Sequence, residues 1–405
     1  MIHLSARAKI AMLAVRAVNW LSRRARRGAG TVAGGRVGLR ICPDLLGQLT
    51  KGRTVVAVSG TNGKTSTTAL CVAGWGVDAA TNATGANMPA GHVAALVERS
   101  KGPIVLEVDE AWLADVVDVT HSRVVILLNL SRDQLDRASE VRQLAERWRQ
   151  CFLHHPDDGL VLVANANDPL VVYAASGARH VRWCDVPTPW LEDARSCPHC
   201  TRALEHSASS WHCSCGFAKP VTFTTTLGDE LVVGGEREAL DLSLPGEFNR
   251  ANAAMAVTAL AELGVDVSAA VVRMNGVRDV AGRFTVRRRG AHTVRLALAK
   301  NPAGFAAMLS TIGPAPVDVW IAINARVADG RDPSWLYDVP FEQLRGHRVS
   351  CLGDRRLDLA TRLDYAGVDC RVIEDLTSVA PAAGAVPLIA NYSAFSEWLA
   401  SSVPC

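Results

Sequence analysis

TVVAVSGTNGKT, residues 54–65, runs a β-branched stretch into a turn built on Gly60 and Gly63 and closed by Lys64 and Thr65. Ser66–Val72 behind it is helix-compatible. Strand, glycine turn and helix in this order bind phosphate. The glycines let backbone N–H groups face phosphate oxygens, the lysine reaches the outer phosphates, and the threonine hydroxyl can ligate Mg2+. Gly60, Thr61, Asn62, Gly63, Lys64 and Thr65 are the expected phosphate loop. The longer P-loop spacing would put a glycine where Val58 stands, so the match is to the shorter G-T-N-G-K-T form. A plain tight turn is the ordinary alternative.

Outward from this loop, apolar runs recur at Ile104–Val108, Val124–Leu128 and Leu160–Val163, separated by helix-length segments such as Glu140–Phe152. The alternation predicts a parallel, doubly wound α/β sheet, which places ligands at the carboxyl ends of its strands. Glu107, Asp109 and Glu110 stand at one such end, and Glu107 is the first choice for a Mg2+ ligand beside Thr65. The segment N-L-S-R-D-Q-L-D-R at 129–137 follows another strand and offers Asp133 and Asp136. Helix capping by Ser131 or Asp133 is an equally ordinary use of that segment.

A chain of 405 residues, 49% apolar and 20% charged, predicts about two or three domains and excludes general disorder. We divide it into residues 1–50, a central domain 51–290 with an insertion at about 190–222, and a C-terminal domain 291–405. The last shows a second strand and helix alternation, with apolar runs at Val317–Ile323 and Val349–Leu352. The formal charge of +3 is too small to argue for a nucleic-acid partner. Before Asp44, however, there is no acid and nine cations. Ile10, Leu13, Ala14, Ala17, Trp20 and Leu21 recur there at helical spacing, which predicts an amphipathic basic helix. It is expected to pack on the first domain with its basic face solvated; the alternative is attraction to an anionic membrane surface or a lipid-linked substrate. Gly28–Gly38 reads as a linker. No apolar run suits a membrane span and no secretory leader is evident, so the expected location is cytoplasmic.

Four of the eleven cysteines cluster, as Cys197-Pro-His-Cys200 and, twelve residues later, Cys213-Ser-Cys215-Gly. This reads as a zinc ribbon, in which two thiolate knuckles hold a tetrahedral Zn2+ with no position left for chemistry. The second knuckle leaves two options. Cys213 ligates in a tightened turn, or His212, which has the C-x-x-C spacing to Cys215, replaces it.

G-T-N-G-K-T at 60–65, N-L-S-R-D-Q-L-D-R at 129–137, P-G-E-F-N-R-A-N-A-A at 245–254, G-R-F at 282–284 and K-N-P at 300–302 resemble, in the same order, the motifs of the Mur ligase superfamily. T-G-A-N-M-P at 84–89, L-E-V-D-E at 106–110, the four-cysteine insertion, D-G-R-D-P-S-W-L-Y-D at 329–338 and N-Y-S-A-F at 391–395 bring it nearer the MurT type. The resemblance implies a Mur ligase-like central ATPase domain with a parallel sheet and a zinc-ribbon insertion, followed by a Rossmann-like α/β domain. It further implies that Lys64 and Thr65 bind ATP phosphates and Mg2+, that Glu107 completes the metal site, that Asn249 and Asn252 contact the nucleotide and that Arg283 lies on its phosphate side. Phe248 and Lys300 stand where the ordinary family motif has histidine. Several peptide-adding members hold a second magnesium with a carbamylated lysine, yet this chain has no lysine between Lys101 and Lys219.

The implied activity is ATP-dependent amidation of the α-carboxylate of D-glutamate in the lipid II stem peptide, through an acyl phosphate, to D-isoglutamine. No G-x-C-x-G elbow for making ammonia occurs in the chain, and the resemblance supplies a GatD-type glutaminase partner. It also implies that this chain lends an aspartate to the partner's Cys-His pair. Asp332 is first choice, Asp329 and Asp338 stand behind it, and a turn aspartate beside Pro333 is the plain alternative. Trp335, Leu336 and Tyr337 are either interface anchors or core. Two other functions compete: an amino-acid-adding or folylpolyglutamate-type ligase, and a zinc-ribbon nucleic-acid-binding ATPase. The second would need basic surface near the ribbon, where only Arg195, Arg202 and Lys219 stand.

Overall fold

Val55–Ser59 is buried on both faces, as a central strand covered by helices on each side must be. The computed structural model describes residues 4–24, 31–82, 86–132, 138–155, 159–188, 190–207, 209–374, 376, 379–382 and 384–405. They form two units. One comprises residues up to 130 with 140–243 and 247–277, and the other comprises 131–139, 244–246 and 278–405.

The first unit carries β1 (Val55–Ser59), β2 (Ala80–Thr81), β3 (Ile104–Glu107), β4 (Val124–Leu127), β5 (Val161–Asn165) and β6 (Val181–Asp185). A small hairpin, β7 (Glu205–His206) and β8 (Trp211–His212), precedes β9 (Thr224–Leu227), β10 (Glu230–Val233) and β11 (Glu236–Ala239). Among the described residues the sheet order is β11-β10-β9-β6-β5-β4-β1-β3-β2. It is parallel from β2 to β9, and β10 and β11 close it as an antiparallel ribbon. Because β1 lies between β3 and β4, the loop leaving β1 opens at the point where strand order reverses, the crevice in which such sheets bind ligands.

Helices α1 (Ala6–Arg24), α2 (Thr31–Ile41) and α3 (Leu45–Thr50) precede β1. Two expectations for this region are corrected. The glycine-rich stretch is helical from Thr31 onward, because its glycines serve close packing: a Cβ on Gly34 would lie 2.1 Å from Asn19 Oδ1, and one on Gly35 1.7 Å from the Ala90 carbonyl oxygen. The face of α1 that packs inward is Ala8, Ala11, Met12, Val15 and Asn19, not the bulkier set at 10, 13, 20 and 21. Small side chains allow the close helix approach that α2 demands, and large ones would hold the two apart.

The remaining helices of this unit are α4 (Lys64–Trp75), α5 (Pro89–Glu98), α6 (Leu113–Thr120), α7 (Ala138–His154), α8 (Pro169–Ala175), α9 (Glu247–Ala261) and α10 (Val267–Asn275). Helix α4 starts at the phosphate loop, and its Gly74 admits Leu260 of α9 and Met274 of α10 at close range.

The second unit holds β12 (Val286–Arg289), β13 (His292–Leu298), β14 (Asp318–Ala322), β15 (Arg348–Leu352), β16 (Cys370–Val372), β17 (Val386–Ala390) and β18 (Val403–Pro404). Their order is β16-β15-β14-β17-β13-β12-β18, parallel from β16 to β13. Helices α11 (Pro302–Leu309), α12 (Arg356–Tyr365) and α13 (Tyr392–Ser401) belong to it. The K-N-P motif is a helix start: Asn301 Oδ1 accepts the Gly304 N–H at 2.7 Å, and Pro302 occupies the first turn, where its missing donor costs nothing. Trp335 and Leu336 are core, Trp335 packing on Phe305 at 5.4 Å between ring centroids, whereas Tyr337 is exposed.

Candidate active site

The turn after β1 is held from β4. Thr61 N–H donates to the Asn129 carbonyl oxygen, and Asn62 N–H to Asn129 Oδ1, both at 2.9 Å; Asn129 Nδ2 returns a bond of 2.9 Å to the Asn62 carbonyl oxygen. Gly60 and Gly63 have φ of 141° and 91°, conformations open to glycine and strained for other residues. A Cβ on Gly63 would also stand 2.6 Å from Asn252 Oδ1, so α9 lays its asparagine directly against the loop. Asn249, one turn earlier, is fully buried, and Asn252 Nδ2 points to its Oδ1 at 3.4 Å.

Lys64 Nζ folds back onto this turn, donating to the Gly60 carbonyl oxygen at 2.6 Å and the Thr61 carbonyl oxygen at 3.2 Å. It also pairs with Glu110 at 3.2 Å, and both side chains are largely withdrawn from solvent. Next along α4, Thr65 Oγ1 donates to Glu107 Oε2 at 2.9 Å. A hydroxyl and a carboxylate oxygen converging at the mouth of a phosphate loop are hard donors of the kind Mg2+ takes, so Thr65 and Glu107 fit the metal expected of them.

Two side chains unmarked by the sequence motifs hold Glu107 in place. Asn82 accepts the Glu107 N–H at 2.9 Å and donates to its carbonyl oxygen at 2.8 Å, while His92 Nε2 reaches the same carbonyl at 2.9 Å. Burial pushes the His92 pKa down to about 4, so at neutral pH the ring is uncharged and Nε2 carries the proton. The folded value lies below the unfolded one, so stability is whole above about pH 6.5 and is lost as pH falls toward 4, by about 3 kcal/mol across that window. Unfolding measured from pH 7 to 4 should therefore decline more steeply for the natural chain than for His92→Gln, whose amide still donates to Glu107. Comparing the two cancels the opposite slope from Asp168, which burial raises to about 6.

Asp168 is itself a clamp: it accepts Leu130 N–H at 2.8 Å, beyond β4, and Leu170 N–H at 2.9 Å in α8. Asp133 and Asp136 lie outside the described residues, as do Thr84 and Gly85 of the T-G-A-N-M-P motif. Arg283 belongs to the second unit, half-buried beside a turn in which its N–H donates to the Val280 carbonyl oxygen. In that unit Asp329 accepts from Ser393 N–H at 2.8 Å, from the Ser393 hydroxyl and from Arg326 N–H at 3.2 Å. Asp338 faces Arg132 at 3.7 Å. Asp332 is exposed; it accepts the Ser334 N–H at 2.9 Å, which holds its carboxyl below the usual range.

The cysteine cluster forms around the β7–β8 hairpin. Turns bring Cys197 N–H to the Arg202 carbonyl oxygen and Cys213 N–H to that of Phe217, both at 2.7 Å. The sulfurs of Cys197, Cys200, Cys213 and Cys215 all lie within 4.8 Å of one another, with Cys197 to Cys215 at 3.6 Å and Cys200 to Cys213 at 3.4 Å. Tetrahedral Zn–S bonds of about 2.3 Å put sulfurs about 3.8 Å apart, so the four fit zinc. His212 is outside the set: its ring is exposed and pairs with Glu205 at 3.3 Å. Trp211 anchors the ribbon, donating from Nε1 to the Ala166 carbonyl oxygen at 3.0 Å. Arg195 pairs with Glu192 and Lys219 with Asp185, which leaves little cationic surface for nucleic acid.

Residues 58–260 match the Mur ligase middle domain, and residues 298–395 match the MurT ligase C-terminal domain. The chain is 30% identical to the MurT subunit of the glutamine-hydrolyzing lipid II isoglutaminyl synthase of Staphylococcus aureus strain COL, over 87% of each chain. The MurT subunit from Streptococcus pneumoniae is 28% identical, over 87% of this chain and 86% of that one. A pseudomurein peptide ligase type C from Methanothermus fervidus shares the fold, with a TM-score of 0.64 at 16% identity over 85% of this chain and 77% of the other.

Proposed function

This chain belongs to the Mur ligase family, in its MurT branch, and from that membership we propose that it is the ligase subunit of a lipid II isoglutaminyl synthase in peptidoglycan synthesis. A carboxylate is a poor electrophile because oxide is its leaving group. ATP removes that obstacle: an α-carboxylate oxygen of the stem-peptide D-glutamate takes the γ-phosphoryl group as the bond to ADP breaks. Ammonia nitrogen then attacks the acyl carbon, phosphate departs, and nitrogen gives up a proton to leave D-isoglutamine. The observation that carries this reading is the Thr65–Glu107 pair beside a glycine turn closed by Lys64.

Loop N–H groups and Lys64 would hold and neutralise the phosphates, and Asn249 and Asn252 would meet the nucleotide. Thr65 and Glu107 would hold Mg2+, which when bound neutralises phosphate charge. Ammonia has to come from elsewhere. Burial pushes the thiols of Cys71 and Cys184 up to about 12, far from the thiolate that a glutaminase nucleophile needs. A GatD-type glutaminase is the proposed source, and Asp332 is the proposed aspartate for its histidine, since the carboxylate of Asp329 is already engaged by Ser393. A lipid-linked substrate would draw this cytoplasmic complex to the inner membrane face.

The test is to mix the chain with its glutaminase subunit, lipid II, ATP and glutamine and to follow replacement of a carboxyl hydroxyl by an amine in the mass spectrum. Product formed from an amino acid instead of ammonia would mark an amino-acid-adding ligase and end the proposal. Asp332→Asn should cut the glutamine-driven rate about a hundredfold or more while leaving the rate on added ammonium salt unchanged. An equal fall in both rates would remove Asp332 from the partner's triad.

A further inference from the structure

Helix α1 has an inner face that the fold uses and an outer face that it leaves bare. Opposite the buried Ala8, Ala11, Met12 and Val15, the side chains of Ile10, Leu13, Trp20 and Leu21 are 60%, 65%, 53% and 58% exposed. At 3.6 residues per turn these four lie with Ala17 on one stripe, the length of the helix. A contiguous exposed apolar patch of this kind marks an interaction surface.

Charge identifies what it fits. Lys9, Arg16 and Arg23 border the stripe on one side and Arg7 on the other, and the Arg24 guanidinium lies over the Trp20 ring at 5.4 Å. The helix contains no acid, nor does the sequence before Asp44. Arg16 and Arg7 are tethered to the carbonyl oxygens of Val97 and Ile41, which fixes their positions without neutralising them. Two carboxylates lie near these cations among the described residues: Glu98, 3.8 Å from Arg23, and Asp44, whose ionised carboxyl the charge of Arg7 helps stabilise. Lys9, Arg16 and Arg24 make no ion pair among the described residues.

We propose that the outer face of α1 is a membrane-surface anchor for anionic lipid. Ile10, Leu13, Trp20 and Leu21 enter the boundary between headgroups and acyl chains, and the flanking cations meet lipid phosphates. None of the described helices is long and apolar enough to cross a membrane, so α1 lies along the surface. A second copy of the chain would set cation against cation and is a poor occupant. The inference goes beyond the ligase reading, and its readout is partitioning, so either can fail without the other.

The experiment is sedimentation of the full chain with phosphatidylcholine vesicles, with and without phosphatidylglycerol. The chain should pellet with the anionic vesicles and bind about tenfold less to neutral ones or at high salt. Leu13→Gln with Trp20→Gln should lower partitioning by about tenfold or more at unchanged thermal unfolding, because both side chains already face solvent. Ile10→Ser with Leu21→Ser is an independent pair on the same stripe and should behave alike. The proposal is overturned if the natural chain stays in the supernatant, or if both pairs pellet as it does. It is equally overturned if the natural chain ignores vesicles while the substitutions break a homodimer or abolish binding to the glutaminase subunit.

Discussion

Lys64→Met should leave no more than about a thousandth of the ATP-dependent amide formation, because the charge that meets the outer phosphates is gone while the loop backbone remains. The substitution also strands Glu110, whose partner at 3.2 Å is this lysine. A carboxylate left without its cation in a half-enclosed site costs stability of its own. The pair Lys64→Met with Glu110→Gln therefore separates the two effects: unfolding should return toward that of the natural chain, and activity should not. Activity recovered by the double substitution would mean that Lys64 serves the fold and not the phosphates.

Withholding Zn2+ from the four thiols that fit it is expected to have the second large effect. Ligand binding by a structural Zn2+ is worth about 10 kcal/mol or more, and the ribbon has little else to hold it. Its buried apolar cluster is Cys197, Leu204, Trp211 and Cys213 with Val172, edged by the half-buried Trp183, Cys200 and Phe217, a small core for an insertion of this length. Chelation, or Cys197→Ser, should strip hydrogen-exchange protection from residues 190–222 and red-shift Trp211 fluorescence as that ring leaves the buried site where it donates to Ala166. The sheet centred on β1 should keep its protection, since its strands pair independently of the hairpin. A chain purified without zinc whose ribbon amides stay protected would rule out the metal centre.

Much of the candidate site could be read from local pattern. G-T-N-G-K-T lies between a β-branched strand and a helix, and the structure brings Thr65 to Glu107 at 2.9 Å as the shared strand-end logic requires. What could not be read were Asn82 and His92. They act on the backbone of Glu107 from 25 and 15 residues away, and neither carries a periodic or motif signal. Asn129 stood inside a motif, but its two-way clamp on Asn62 exists only because β4 runs beside β1. Helix α1 failed differently. Periodicity offers two candidate faces, and the choice depends on how closely α2 approaches, which composition does not state.

Composition and spacing alone determined which donors this chain owns: a glycine turn with its lysine, a strand-end glutamate, four thiols in two knuckles. They also settled the alternation of strand and helix, because backbone sterics and side-chain period act over a few residues and leave their mark there. Only the tertiary structure decided which donors converge. Cys213 rather than His212 joins the sulfur cluster, Glu110 rather than Asp109 pairs with Lys64, and the alanine face of α1 rather than its bulky stripe turns inward. The first choice is made by the turns of the β7–β8 hairpin, which set which side chains face inward. The other two are contacts between separate elements, made by packing, and no short window of sequence contains both partners.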